Sequence, residues 1–448
     1  MGSYKKGQEV LRDEPFTYIV KSNMLTKVCD HCLQSTIDGS ISGQVLTKCS
    51  GCKIVSYCGE TCQKKAWNSH HETECLLLQK SPFDLIPTGD VHDNYRNILR
   101  LIIKSNEDFD EKYAELPNGH KRYLKDLMSH KEDIENDTRM ELFIHLYNLL
   151  KVAFESANMG DSLPNQTNVL DLWGKLLVNQ FDMMIQTETS HIPIGSGLYL
   201  ACSYFDHSCA PNVTRISNGK QLILRTLDSV EDFSQLRISY ISKLFERTSE
   251  RRQRLKNCYY FLCECETCLD IDADQMKTST KCSGCQGCVP IETKVCVNCD
   301  HVLDNPKVIE KYRNVKTLMR KMLTQPREDL KPYDFVFNEA LNVIHVFDKD
   351  FMEFLQVVYV KQRNAMNFAK CLEIINLMLE NYYQNHPKYH LNIGLSEMLA
   401  AKFCVCLNLM DETKVRIKKA RSILQVTFGE NHPIIKNIEL KFAKFFTK

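Results

Sequence analysis

The sequence predicts a multi-unit α+β fold, stapled by metal and completed by an all-helical C-terminal part. Three observations carry this. Cysteines fall in tight clusters, strand and hairpin signals gather near the start and again after Ser196, and helical spacing covers residues 95–156 and everything from about Asn305 onward. At 448 residues the chain is about three times the typical domain length, so several cores are expected rather than one.

The elements follow in order. Residues 8–20, QEVLRDEPFTYIV, read as two short strands around a turn at residues 13–15. Residues 29–75 are polar, turn-rich and cysteine-dense, with too few apolar residues to fold without a staple. The next stretch has helical spacing, first through Tyr95, Ile98, Leu99 and Ile102, then through Met140, Phe143, Leu146, Leu150 and Ala153. Residues 212–216 and 221–227 flank Asn218-Gly219, a hairpin signal because both residues tolerate positive φ. Residues 236–241 read as a further strand. Amphipathic helices then alternate with polar turns to the end. His386-Pro387 and His432-Pro433 follow similar stretches, a hint of tetratricopeptide-like helix pairs.

Composition excludes several classes. With 57 Lys+Arg against 56 Asp+Glu, the net charge of +1 gives no global reason to bind nucleic acid or an anionic membrane. No stretch reaches the roughly 18 uninterrupted apolar residues of a membrane span, the first residues lack a secretory pattern, and Lys6 stands where a myristoylation signal wants Ser or Thr. A soluble protein of the cytoplasm and nucleus is expected, with its 21 cysteines reduced and available to metal.

Fifteen of those 21 cysteines lie in three clusters, counting Cys209 with the second. The first is Cys29, Cys32, Cys49, Cys52, Cys58, Cys62, then His70, His71 and Cys75; eight N/S ligands suit two tetrahedral zinc ions. His71 and Cys75 stand four apart, on one face of a helix. The second, Cys263, Cys265 and Cys268, needs a fourth ligand, and Cys209 is the candidate. The third, Cys282, Cys285, Cys296 and Cys299, has zinc-ribbon spacing and leaves Cys288 over. Three zinc sites are therefore expected, and a fourth at the ribbon. Saturated sites of this kind are structural and predict no chemistry at the metal.

Tyr57-Cys58 and residues 62–67, CQKKAW, resemble a MYND finger. By that resemblance Cys29, Cys32, Cys58 and Cys62 hold one zinc, and Cys49, Cys52, a histidine and Cys75 the other. Counting from Cys62 gives His70, counting back from Cys75 gives His71, and the helix geometry favours His71. Cys209 with residues 263–268 resembles the post-SET zinc site.

Further matches at Asn179-Gln180-Phe181, Gly197-Leu198-Tyr199, residues 207–212, Ile238-Ser239-Tyr240, Glu250-Arg251-Arg252, and Tyr259 with Phe261 fall in the order of the SET-and-MYND (SMYD) protein-lysine methyltransferases. The chain resembles that family over nearly its whole length. The implied architecture is a split SET-domain β-fold with an inserted MYND zinc finger and a helical insert, a post-SET zinc site and an α-helical, tetratricopeptide-like C-terminal domain. Its units are an N-terminal SET segment at 1–28, the finger at 29–75, the insert at 76–175, the core SET unit at 176–245, the post-SET region and ribbon at 246–304, and the helical domain at 305–448.

The activity implied is S-adenosylmethionine-dependent methylation of a lysine on a histone or non-histone protein. Tyr240 is then the catalytic tyrosine. Tyr259 and Phe261 line the lysine channel, and Asn179, Asp206, His207, Tyr240 and Phe261 face the methyl donor. The finger implies proline-rich peptide partners, and the C-terminal helices are expected to curve over the SET face. Three departures stand against the family pattern. The Gly-rich donor-contacting segment is not found ahead of residues 8–20. Asp206 replaces an Asn, and residues 232–235, DFSQ, replace Gly-Glu-Glu. A scaffold without activity is the competing expectation.

Overall fold

The computed structural model describes residues 3–41, 45–82, 89–108, 112–187 and 191–445. The two strands read from residues 8–20 form as β1 (Glu9–Asp13) and β2 (Thr17–Val20), but they part company at the intervening turn. β1 joins a three-stranded antiparallel sheet and β2 another. Burial on both faces explains the split: Val10, Leu11, Phe16, Tyr18, Ile19 and Val20 are all buried, more apolar surface than one half-solvated hairpin can cover.

The finger contributes β3 (Thr47–Lys48), β4 (Ser56–Tyr57), α1 (Glu60–Ala66) and α2 (Glu72–Lys80). The insert contains α3 (Asp90–Asp108), then β5 (Tyr113–Glu115) and β6 (Lys121–Tyr123), then α4 (Lys131–Glu135), α5 (Arg139–Ser156) and α6 (Gln166–Asn179). The small β5–β6 hairpin interrupts a stretch expected to be wholly helical. Pro117-Asn118-Gly119 turns it, with Gly119 at φ +81°, a conformation open to glycine without steric cost. Trp173 on α6 is fully buried against Phe143 of α5, and its Nε1–H donates to Asn94 Oδ1 at 3.1 Å.

β7 (Gln180–Gln186) and β8 (His191–Leu198) continue directly from α6, and β8 is the centre of the sheet β2-β8-β7. Gly195 is required there, since a Cβ would lie 2.4 Å from Ile19 O and 2.6 Å from Met183 Cε. β9 (Val213–Asn218) and β10 (Gln221–Thr226) form the expected hairpin, giving the order β1-β10-β9. The loop is shifted by one residue from the expectation. Asn218 pairs with Gln221, and positive φ falls on Gly219 alone.

Residues 236–241 do not form a strand. A 3-10 turn at Phe233–Gln235, capped by Asp232, leads into a single parallel bridge between Ile238 and His207. Ile238 bonds the carbonyl of Asp206 and the N–H of Ser208, whereas Arg237 O accepts from Val213. With its pairing divided between two segments, the stretch is extended but has no continuous ladder.

After α7 (Thr248–Tyr259), α8 (Glu266–Leu269), α9 (Ile271–Gln275), β11 (Ser279–Lys281) and β12 (Cys288–Pro290), the chain is helical. α10 (Pro306–Thr324), α11 (Lys331–Val343), α12 (Lys349–Asn364), α13 (Phe368–Asn385), α14 (Leu391–Cys406), α15 (Met410–Phe428) and α16 (Pro433–Lys441) bury an extensive apolar core of their own. α15 packs back on the β1-β10-β9 sheet, where Ile216 shares a core with Leu424 and Phe428. Among the described residues no helix is long and apolar enough to cross a membrane.

Candidate functional site

The cysteine clusters resolve into four compact N/S sets among the described residues: Cys29, Cys32, Cys58, Cys62; Cys49, Cys52, His71, Cys75; Cys209, Cys263, Cys265, Cys268; and Cys282, Cys285, Cys296, Cys299. A tetrahedral zinc with sulfurs at about 2.3 Å places those sulfurs about 3.8 Å apart. The observed separations suit it: 3.7 Å for Cys32–Cys58, 3.7 Å for Cys49–Cys75, 3.6 Å for Cys209–Cys268, and 3.7 Å for Cys282–Cys299. His71 Nε2 lies 3.8 Å from Cys52 Sγ, while His70 turns to Ser69 Oγ at 2.7 Å. His71 is therefore the histidine that the second set gathers.

The outer contacts of these sets are ionic. Glu74 Oε2 accepts from His71 Nδ1 at 2.7 Å, which leaves Nε2 facing the thiolates. Glu74 is fully buried with Asp30, Arg96 and Arg100. Arg100 Nε donates to Glu74 Oε1 at 2.6 Å, Arg100 Nη1 to Tyr18 O at 2.7 Å, and Arg96 Nη1 to Val20 O at 2.9 Å. α3 thus pins the finger to strand β2. Burial alone would raise the Glu74 pKa, but Arg100, His71 and Arg96 more than offset it and hold the carboxyl well below its ordinary range. At the Cys209 set Arg251 does the equivalent work, with Nε 3.3 Å from the sulfur of Cys209 and Nη2 3.3 Å from that of Cys268.

The Cys209 set stands beside the residues singled out for chemistry. α7 ends at Tyr260 in the left-handed conformation, φ +61°, and the reversal brings Tyr259 and Phe261 around Tyr240. Ring centroids lie 4.9 Å apart for Tyr240–Tyr259 and 6.2 Å for Tyr240–Phe261. The Tyr240 hydroxyl donates to Phe205 O at 2.8 Å, and burial raises its pKa, so it stays protonated. His207 Nδ1 accepts from the Tyr240 N–H at 3.0 Å, which makes Nε2 the protonated nitrogen, 3.3 Å from Cys209 Sγ. Burial lowers the His207 pKa to about 4. With both nitrogens occupied, this histidine ties Tyr240 to the Cys209 set.

The cluster opens on a cavity of about 680 Å³ lined by Asn179, Asp206, His207, Tyr240, Tyr259 and Phe261, the residues the sequence had grouped. Asn179 lines it while its amide donates to Met128 O and Lys175 O, both at 2.9 Å. The remaining wall was missed by sequence reasoning. Arg122, Met128 and His130 come from residues 121–130, Tyr204 and Phe205 from the turn after β8, and Phe233 from the 3-10 turn at Phe233–Gln235. Pro117-Asn118-Gly119 was the available signal for Arg122, since it marks the hairpin that carries that residue inward.

The MYND finger family matches residues 29–75. A histone-lysine N-methyltransferase of Arabidopsis thaliana, ASHR1, is 23% identical over 98% of this chain and 91% of its own length. The N-lysine methyltransferase SMYD2 of Homo sapiens is 23% identical over 95% of this chain and 90% of its own. The mouse histone-lysine N-methyltransferase SMYD3 is 30% identical over a shorter span, 61% of this chain and 59% of its own. Over nearly its whole length the chain is similar to lysine methyltransferases of the SET and MYND domain type, and residues 29–75 match the MYND finger. The two finger sets and the Cys209 set each offer four N/S donors, which suits a closed, structural zinc site, and the cavity beside Tyr240 stands apart from them as a small-molecule-sized space.

Proposed function

We propose that this chain is an S-adenosylmethionine-dependent protein-lysine N-methyltransferase acting on histone or non-histone protein. The observation that carries the reading is the aromatic cluster of Tyr240, Tyr259 and Phe261 lining the 680 Å³ cavity, in a chain whose relatives over nearly its whole length are named lysine methyltransferases. The residues suit the donor. The cavity is of small-molecule size, its aromatic faces favour a cation, and Asp206 is an exposed carboxylate on its wall. Asn179, Asp206, His207, Tyr240 and Phe261 are the residues proposed to hold S-adenosylmethionine, which when bound supplies a sulfonium methyl group.

The chain's own part is positioning. Tyr240 holds its hydroxyl proton toward Phe205 O, leaving oxygen lone pairs to accept from an incoming lysine amine. Tyr259 and Phe261 form an apolar channel in which a charged lysine, whose pKa in water is about 10.4, is disfavoured; the substrate amine sheds its proton to solvent on entering. Neutral His207 keeps the Tyr240 backbone in place. The finger is proposed to receive proline-rich peptides, with Trp67, 38% exposed beside His71, as the aromatic surface.

The test is calorimetric titration of S-adenosylmethionine into zinc-replete full-length protein, followed by transfer of labelled methyl to protein substrates. Micromolar binding with Tyr240-dependent transfer is expected. A folded protein that binds no donor would overturn this reading and leave a partner-binding scaffold.

A further inference from the structure

We infer that Arg122 and Asp206 form a zwitterion site at the cavity beside Tyr240, with Arg122 receiving the carboxylate of the donor's amino-acid moiety and Asp206 its ammonium. The inference rests on the donor-binding reading above and adds the residue that distinguishes a free amino-acid head group from other cations.

Arg122 sits on β6, opposite Ala114, and the hairpin delivers its guanidinium to the cavity wall. A guanidinium carries five N–H donors. Among the described residues one is engaged, Nη2 to Ser203 O at 3.3 Å, and the Nε–H is buried without a partner. The Tyr204 ring, 5.6 Å from the guanidinium carbon, holds the group in place. No acid among the described residues is within ion-pair distance of it; the Asp126 carboxylate instead accepts from the Tyr123 N–H at 2.8 Å.

The fully buried arginines of this body are matched to anions. Arg96 and Arg100 meet Asp30 and Glu74, and Arg251 meets the sulfurs of Cys209 and Cys268. Taking a guanidinium out of water without an anion is costly, so a half-buried arginine on a cavity wall lacking its counterion points to an anionic ligand group. Burial lowers the pKa of Arg122 despite the opposing pull of Asp126 and Asp206, so neither acid compensates its desolvation in full.

Asp206 supplies the complement. It is the one acid among the described residues lining the cavity, and it is solvent-exposed. Arg237, the other strong cation of the wall, has its Nη1 shared between the carbonyls of Ser234 and Leu236 at 2.6 and 2.9 Å, whereas Arg122 makes a single longer contact and buries an unpartnered Nε–H. A free cation and a free anion on one wall fit an α-amino acid head group, and a bidentate arginine contact gives the carboxylate its direction.

The experiment compares S-adenosylmethionine with decarboxylated S-adenosylmethionine, which keeps the sulfonium and the amine, by calorimetry on zinc-replete full-length protein. Wild type is expected to bind the carboxylate-bearing donor at least tenfold more tightly. Arg122→Ala is expected to erase that preference while changing the decarboxylated compound's affinity less than threefold, and Arg122→Lys to keep part of it.

Zinc content and unfolding midpoint establish that each variant is folded; should Arg122→Ala fail to fold, the preference measured in Arg122→Lys decides. Equal losses for both compounds, an unchanged preference in Arg122→Ala, or a wild type with no preference overturns the inference and leaves the donor site standing. A wild type that binds neither compound overturns both.

Discussion

Replacing Arg100 with Met tests how the finger is held to the rest of the chain. The guanidinium lies between two fully buried carboxylates, with Glu74 at 2.6 Å and Asp30 at 2.5 Å, and also donates to Tyr18 O. Methionine fills similar volume but leaves Asp30 to Arg96 at 3.1 Å, and Glu74 to His71 at 2.7 Å with Arg96 only at 3.7 Å. Removing one partner of a buried ion cluster costs about 3–5 kcal/mol. At roughly 2–4 °C per kcal/mol, the midpoint should fall by about 6–20 °C.

Since Glu74 also orients His71, its reorganisation should loosen the finger's second zinc set by roughly 10- to 100-fold, as loss of such outer contacts does elsewhere. Thermal melts followed by Trp173 in the insert, alongside zinc release to a chromophoric chelator, read both effects. A variant within about 1 kcal/mol of wild type, with unchanged zinc release, would refute the argument that the charge cluster is the clamp.

Three further outcomes are expected. Asp13 is buried, its pKa pushed up to about 6 by burial against the pull of the Cys202 and Ala201 N–H groups. The unfolded chain releases that proton near pH 3.9, so wild type loses stability relative to Asp13→Asn as pH rises through this window, by about 3 kcal/mol in all and roughly 1 kcal/mol between pH 5 and 7; a flat difference curve in urea melts would contradict it. Metal analysis should find four zinc ions per chain and three in Cys265→Ser, whose circular dichroism should change around Tyr240; four retained in the variant would remove Cys265 from the set. Tyr240→Phe loses the hydrogen bond to Phe205 O, and methyl transfer should fall at least tenfold while donor affinity stays within about threefold; equal activity would strip the hydroxyl of its role.

The zinc sets and most secondary structure were legible in residue order alone, because those signals are local. A Cys-x2-Cys knuckle places two thiolates on one ion whatever surrounds it, His71 and Cys75 share a helix face, and a glycine supplies the positive φ of the β9–β10 turn. The aromatic grouping of Tyr240, Tyr259 and Phe261 was legible only as a pattern of family matches, and the structure brings the Tyr259 and Phe261 rings to 4.9 and 6.2 Å from that of Tyr240.

What remained was settled by packing. Residues 236–241 carry strand-like composition, yet a strand needs a partner, and theirs is split between Asp206–Ser208 and Val213. β1 and β2 read as neighbours and fold into different sheets, because which partner covers an apolar face is settled by the whole core. Asp30, Glu74, Arg96 and Arg100 look like ordinary surface charges in the sequence; only burial together turns them into a clamp. Arg122 is likewise a plain basic residue in a polar stretch until the β5–β6 hairpin turns it toward the cavity. Charge acquires its meaning from the partners and the dielectric around it, and neither is written in sequence order.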